Sequence, residues 1–348
     1  METQQTRGSW RRVAPALTLV VLAPMLAEVL PGATRTSALF VLPVEMGVWG
    51  CGALLIRAAV RHWRLGWRNM LLLSFALALA EEFVIQQSSL APMVIQIVKG
   101  APYARAFGVN WVYLLWALGY ETVFVVFLPV ALAELIFRDR REKPWLSKAG
   151  LGGAVLYFAV ACFFAWFTWT QIARPKVFHV PAYVPPALTI EIGLAAIALL
   201  VLAAIGPARR LIARKVRPSM PPPPLIAGAF ALIAAVLWYG LVLLGFNLRP
   251  DFPVPVAAAG GILLGLLVLI AFPRWAAHPN WRDAHAFAVI AGALTGSMGV
   301  GFIGFIGASP VDLYGKIVFD ALALVLLIML AVRLRRPAGG AGPSQSRS

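Results

Sequence analysis

The chain has little charge and almost no cysteine or histidine. Only 13% of its 348 residues are charged, whereas a soluble domain carries about a quarter. Acids are the scarcer sign, with 14 Asp and Glu against 30 Lys and Arg. The two cysteines, Cys51 and Cys162, both lie in apolar runs. That excludes a disulfide framework and a CxxC metal site, so each reads as a small packing residue. Of the four histidines, His62, His179 and His278 fall in loops and His285 at the start of a run. The sequence contains no HExxH, no Walker loop and no nucleophile elbow. The chemistries those motifs carry are therefore not indicated; no cofactor and no metal are expected, and the oxygen ligands on offer would suit Mg²⁺, Ca²⁺ or Mn²⁺ rather than zinc.

What the chain has in abundance is apolar sequence. Hydrophobic residues make up 61% of it, and its mean hydropathy is +0.82. One soluble core cannot absorb that much, and repeated runs of about 20 apolar residues mean transmembrane helices. Ten spans are expected, at 13–31, 37–57, 68–88, 107–137, 148–170, 185–206, 224–246, 254–272, 284–307 and 310–333. The fold class is all-α, a polytopic membrane helix bundle of about ten transmembrane helices. A single transmembrane domain fills 1–336, as a six-span portion 1–206, a proline-rich linker 207–223 and a four-span portion 224–336, with a disordered tail at 337–348. Residues 89–101 are apolar but too short to cross, which suits an interfacial or re-entrant segment. The apolar stretch after Arg7, Arg11 and Arg12 carries Pro15, Pro24 and Glu28 and leads straight into further spans. It reads as a retained first helix rather than a cleaved signal peptide.

The net charge of +16 sits in short loops, which points to orientation signals and anionic lipid rather than nucleic acid. With the N-terminus inside, 23 of the 30 basic residues fall on the cytoplasmic side, 6 on the other, and Lys316 within a span. This bias implies cytoplasmic termini and an even number of spans. The expected location is a bacterial inner membrane. The expected partner is the lipid bilayer, with small molecules, lipids or cations as open substrate classes and the oligomeric state undetermined.

Against this background the acids stand out. Glu81 and Glu82 sit side by side in the third run, and a mid-membrane charge costs about 2.5–3.5 kcal/mol on insertion scales. Glu28, Glu45, Glu121, Glu191, Asp312 and Asp320 also fall in or at the ends of runs. Topology places most of them in the outer half, with Glu134 the exception at the cytoplasmic end. Helical spacing pairs Glu82 with Gln86, a stripe able to share protons or bind a cation. It also puts Asp312, Lys316 and Asp320 on one face, where the lysine could reach a carboxylate one turn above and one below. Glu45, Glu81, Glu82, Gln86, Glu121, Asp312, Lys316 and Asp320 are the candidate proton, cation or substrate residues. Crowded carboxylates hold one another protonated, which is the physical basis of proton coupling. The GxxxG step Gly292–Gly296 in the ninth run indicates close helix packing.

Glu81-Glu82 resembles the first motif of the CPBP intramembrane proteases, which continues to an arginine where this chain has Gln86. That family also uses intramembrane histidines, and none is placed deep beside these glutamates, His285 lying at the very end of the ninth span. The segments Leu22–Glu28, Gly52–Arg57 with Glu81-Glu82, and Gly108–Trp111 through Glu134 to Leu146 resemble an uncharacterised family of multi-span bacterial membrane proteins. That resemblance implies a fold and a bacterial origin, and no reaction. The leading expectation is a transporter-like protein, proton- or cation-coupled, with a carboxylate-lined cavity in the outer half. The alternatives are a membrane-embedded hydrolase or transferase and a non-catalytic scaffold or partner subunit.

Overall fold

The computed structural model describes residues 2–91, 103–179, 183–212, 216–243, 248–249 and 251–335, with side chains from Arg12 onward. The expected tail 337–348, most of the 89–101 segment and the end of the seventh span lie outside the described residues. The described chain is almost entirely helical, with one antiparallel hairpin, β1 (Arg105–Ala106) and β2 (Val109–Asn110).

Nine described helices are long and apolar enough to cross a membrane. Here α1 runs over Arg12–Val29, α2 over Thr36–His62, α4 over Trp111–Ile136 and α5 over Lys148–Val177. They are followed by α6 (Ala187–Ile205), α7 (Pro224–Leu243), α8 (Val254–Ala276), α9 (Asp283–Phe305) and α10 (Pro310–Arg335). The third expected span is also a helix, α3, built from Trp67–Ala80 and continued by Glu81–Ile85. At 1.5 Å per residue it is roughly 28 Å long, close to a bilayer core of about 30 Å. Arg68, Glu81 and Glu82 fall within its 19 residues, so it has no 18-residue stretch as poor in charge as the other nine helices offer.

Two boundaries differ from expectation. The fourth span starts at Trp111 rather than 107, because residues 105–110 form the hairpin. Asn110 then caps α4, its side chain accepting from the Tyr113 amide at 3.0 Å. The fifth helix does not stop near 170. It continues to Val177 in a widened π-helical form and carries Arg174 into the protein.

The helices form an inner and an outer set. Half or more of the apolar window of α1, α2 and α4 is buried (50, 56 and 61%), against 11–17% for α5, α6, α8 and α10. The outer helices present large exposed apolar side chains such as Leu199, Leu263 and Leu326, a surface suited to lipid. The six-span and four-span portions touch: α9 packs on both α4 and α7, and α10 packs on the start of α2.

One end of the bundle is clamped by arginines. Arg57 on α2 bonds Glu134 on α4 at 2.9 Å, and Arg61 reaches the same carboxylate at 2.8 Å. The Arg57 guanidinium lies 3.3 Å from the centre of the Trp145 ring and donates to the Arg141 carbonyl at 2.7 Å. Asp283, at the start of α9, pairs with Arg138 and Arg141 at 3.0 and 2.8 Å. The segment after α4 is thus tied to α2 and α9, and Glu134 is a structural ion-pair residue.

The GxxxG step works as a packing surface. A Cβ on Gly292 would stand 2.0 Å from the Gly228 carbonyl oxygen of α7, and one on Gly296 2.8 Å from the Leu232 carbonyl. Backbone therefore meets backbone, as small residues permit in membranes. Gly292→Val is expected to abolish recovery of monodisperse folded protein, whereas Gly299→Ala, whose Cβ meets nothing within 4 Å, is expected to leave it intact. Size-exclusion profiles and thermal unfolding in detergent check the pair.

Candidate functional site

Every glutamate of interest sits where a helix widens from the α to the π form. Glu28 lies within the π-helical Met25–Val29 of α1. Glu45 immediately precedes the π-helical Met46–Gly50 of α2. Glu81 and Glu82 open Glu81–Ile85 in α3, and Glu121 opens Glu121–Phe127 in α4. Such wide turns inside α-helices are rare and gather at functional sites. They break the regular ladder and swing side chains out of α-helical register, here toward the middle of the inner set.

The five carboxylates are linked pairwise by electrostatic reach, with Glu81 in reach of all the others. Glu28 faces Glu45 and Glu81, Glu81 faces Glu82 and Glu45, and Glu121 faces Glu81, Glu82 and Glu28. Glu45, Glu81, Glu82 and Glu121 are buried, while Glu28 keeps partial access. Four helices, α1 to α4, thus contribute to one acidic cluster.

The adjacent pair is not equivalent. Glu82 accepts from the Ser89 amide at 2.7 Å and from the Ser89 hydroxyl at 2.6 Å, which fixes it. Glu81 is 3% exposed and neither of its oxygens has a hydrogen-bond partner. Glu45 receives the Thr34 hydroxyl on Oε1 and leaves Oε2 unpartnered, and Glu121 also leaves Oε2 unpartnered. Buried acceptors without partners are costly and mark sites built for something else. Among the described residues the one guanidinium facing this cluster is Arg174, 4% exposed and within reach of Glu82.

Aromatic rings border the Glu28 and Glu121 side. The Tyr120 hydroxyl donates to the Ala27 carbonyl and stands 3.3 Å from Glu28 Oε1. Trp116 stacks on Tyr120 at 4.6 Å between centroids, and Tyr239 of α7 meets both rings edge-on. Trp116, partly buried, is thus one ring of this wall.

The remaining candidates lie elsewhere. Gln86 joins through its backbone: its carbonyl accepts from Arg174 Nη2 at 2.7 Å. The π-turn, closed by the Gln86 amide on the Glu81 carbonyl at 2.9 Å, removes the α-helical Glu82–Gln86 register that the spacing suggested. Lys316 does not bridge two aspartates. Its ammonium donates to the Leu30 carbonyl at 2.7 Å, to the Met298 carbonyl at 3.1 Å and to Asp320, which uses all three of its protons. Asp312 is held instead by the Ser37 amide and the Ser309 hydroxyl, both at 2.9 Å. This trio joins α10 to α1, α2 and α9 and is separate from the glutamates. Glu191 is exposed on α6.

Spacing alone did not reveal Arg174, Thr34, Ser89, Tyr120 or Tyr239. Arg174-Pro175 reads as loop, and serine, threonine and tyrosine in apolar runs carry no signal until a partner is seen. Among the described residues no three carboxylate, imidazole or thiol groups come close enough to hold a metal ion.

No family model, no curated protein and no solved structure matches the chain. Fold and site together define the class: a polytopic α-helical membrane protein with an acidic cluster inside its bundle.

The Lys316–Asp320 pair yields a direct test. Removing one member of a buried ion pair costs about 3–5 kcal/mol, and removing both costs less. Lys316→Met and Asp320→Asn are each expected to lower the thermal midpoint in detergent by several degrees. The double variant is expected to recover part of the loss.

Proposed function

We propose that this protein is a proton-coupled transporter in which the glutamate cluster exchanges protons with the non-cytoplasmic side. The observation that carries the reading is Glu81, buried with both oxygens unpartnered and within reach of Glu45, Glu82 and Glu121. A carboxylate held this way has no structural partner to serve. Against five carboxylates the described residues set one facing guanidinium, Arg174, so the negative excess must be met by protons or by a bound cation. Mid-membrane acids of this kind mark ion and proton pathways.

Three further features support the reading. Glu28 is the most accessible member, and the cluster lies toward the hairpin end, where Asn110 bonds the carbonyl of Ser89, the partner of Glu82. The loop-charge bias puts that end outside and both termini in the cytoplasm, in a bacterial inner membrane if the resemblance of the first 146 residues holds. The opposite end is tied together by the Arg57–Glu134–Trp145 clamp, in keeping with access from one side only.

Proteoliposomes holding a pH-sensitive dye test the proposal. Under an imposed pH gradient the wild type is expected to carry protons, and Glu81→Gln to reduce the flux at least about tenfold. Asp312→Asn, outside the cluster, is expected to retain it. Equal flux in wild type and Glu81→Gln would instead support a scaffold role.

A further inference from the structure

We propose that the segment 30–37, which joins α1 to α2, is a strap over the acidic cluster, latched by α9 and α10, and that its release opens the cluster to the non-cytoplasmic side. The inference rests on the transport reading above and adds a gate to it.

One edge of the strap meets the cluster. The Thr34 hydroxyl donates to Glu45 Oε1. The amides of Gly32 and Thr34 both donate to the Glu28 carbonyl, each at 3.1 Å. Thr34 is buried, although Ala33 and Arg35 on either side of it are exposed. The segment therefore turns one side chain inward onto an acid and its two neighbours outward. It also joins the helices that carry Glu28 and Glu45, so moving it changes the surroundings of both.

The four-span portion holds the other edge. The buried Lys316 ammonium donates to the Leu30 carbonyl at 2.7 Å. Its other protons go to the Met298 carbonyl of α9 and to Asp320 of α10, so one group fixes the strap to both helices. Arg35 Nη2 donates to the Gly304 carbonyl at 3.1 Å, and its guanidinium lies 5.4 Å from the centre of the Phe305 ring. A Cβ on Gly301 would stand 2.1 Å from the Pro31 carbonyl oxygen, and one on Gly315 2.7 Å from Thr36 Cβ. Gly32 has φ +87°, and a Cβ there would meet the Phe305 ring at 2.3 Å, so glycine is what seats the strap at this point. The Ser37 amide bonds Asp312 Oδ1 at 2.9 Å and anchors the far end. Asp312→Asn keeps that acceptor oxygen and leaves the anchor in place.

The composition of the strap suits release. Residues 32–37 read Gly-Ala-Thr-Arg-Thr-Ser and contain no large apolar side chain. The latch is thus made of hydrogen bonds and close glycine contacts rather than interlocked apolar groups. Segments that open locally are those with few buried apolar contacts. The opposite end of the bundle, with Trp145 against Arg57 and Arg57 on Glu134, has no comparable loose connection to the cluster.

Two cysteine experiments on the full-length protein test this, both with Cys51→Ala and Cys162→Ala. In the first, Thr36→Cys and Gly315→Cys are oxidised in proteoliposomes and the crosslink is confirmed by mass spectrometry. A small shift of the strap gives the two Cβ atoms the roughly 3.5–4.5 Å that a disulfide needs. The crosslinked protein is expected to carry protons at least about tenfold more slowly than the same sample after reduction, because opening is then blocked. In the second, Thr34→Cys in nanodiscs is labelled with a membrane-impermeant maleimide, with and without Lys316→Met or Arg35→Ala. Each is expected to speed labelling, Lys316→Met by about tenfold, since losing a charged hydrogen bond shifts the opening equilibrium by about that factor. Failure of the pair to crosslink, equal flux before and after reduction, or labelling unchanged in both variants would overturn the strap. Glu81-dependent flux in the uncrosslinked protein would then leave the transport reading standing. If the cysteine-free parent carries no protons, the transport reading fails, and the labelling rates alone decide whether the segment opens.

Discussion

Burying carboxylates in an apolar bundle is the constraint around which this structure is arranged. Each acid must find hydrogen-bond donors, a counter-charge or a proton. The protein uses these solutions in different places. Glu134 is neutralised by Arg57 and Arg61, Asp320 by Lys316, and Asp312 by a backbone amide and a hydroxyl. Glu82 is tied to Ser89. Glu81 receives none of these, and the helices around it widen into π-turns that bring further acids to it instead. The contrast between satisfied and unsatisfied acids is what separates framework from site.

The framework is divided along the bundle axis. The arginine-rich end is clamped through Arg57, Glu134, Trp145 and Asp283, and α7 and α9 are locked by backbone contact at Gly228 and Gly292. The acidic cluster lies toward the other end, bordered by the short hairpin and by the loop carrying Thr34. Stiff packing thus lies on one side and the unpartnered groups on the other.

Much of this was legible in the residues, for identifiable reasons. Apolar run length is set by bilayer thickness, so the nine long apolar helices were legible from hydropathy, and the more polar third run also forms a helix. Glu45, Glu81, Glu82 and Glu121 were conspicuous because charge is rare in such runs. Three things were hidden. A π-turn has no sequence signature, so the Glu82–Gln86 pairing assumed from α-helical spacing does not form. Arg174 followed polar residues and preceded a proline, and read as loop until the helix was seen to continue through it. Lys316 had two aspartates at the right spacing, but carbonyls from distant α1 and α9 took the protons that Asp312 was to receive. Local periodicity reports which residues share a helix face; it does not report which distant backbone faces them.

The central claim is that glutamates from four helices meet at one place. A double-mutant cycle on thermodynamic stability addresses it most directly, with Glu81→Gln and Glu121→Gln measured singly and together. Residues in one network couple by about 0.5–3 kcal/mol, while separated ones add within about 0.3–0.5 kcal/mol. Coupling within the larger range for this pair, with near-additivity for Glu81→Gln combined with Asp312→Asn, is the expected result. Additivity between Glu81→Gln and Glu121→Gln would contradict the account.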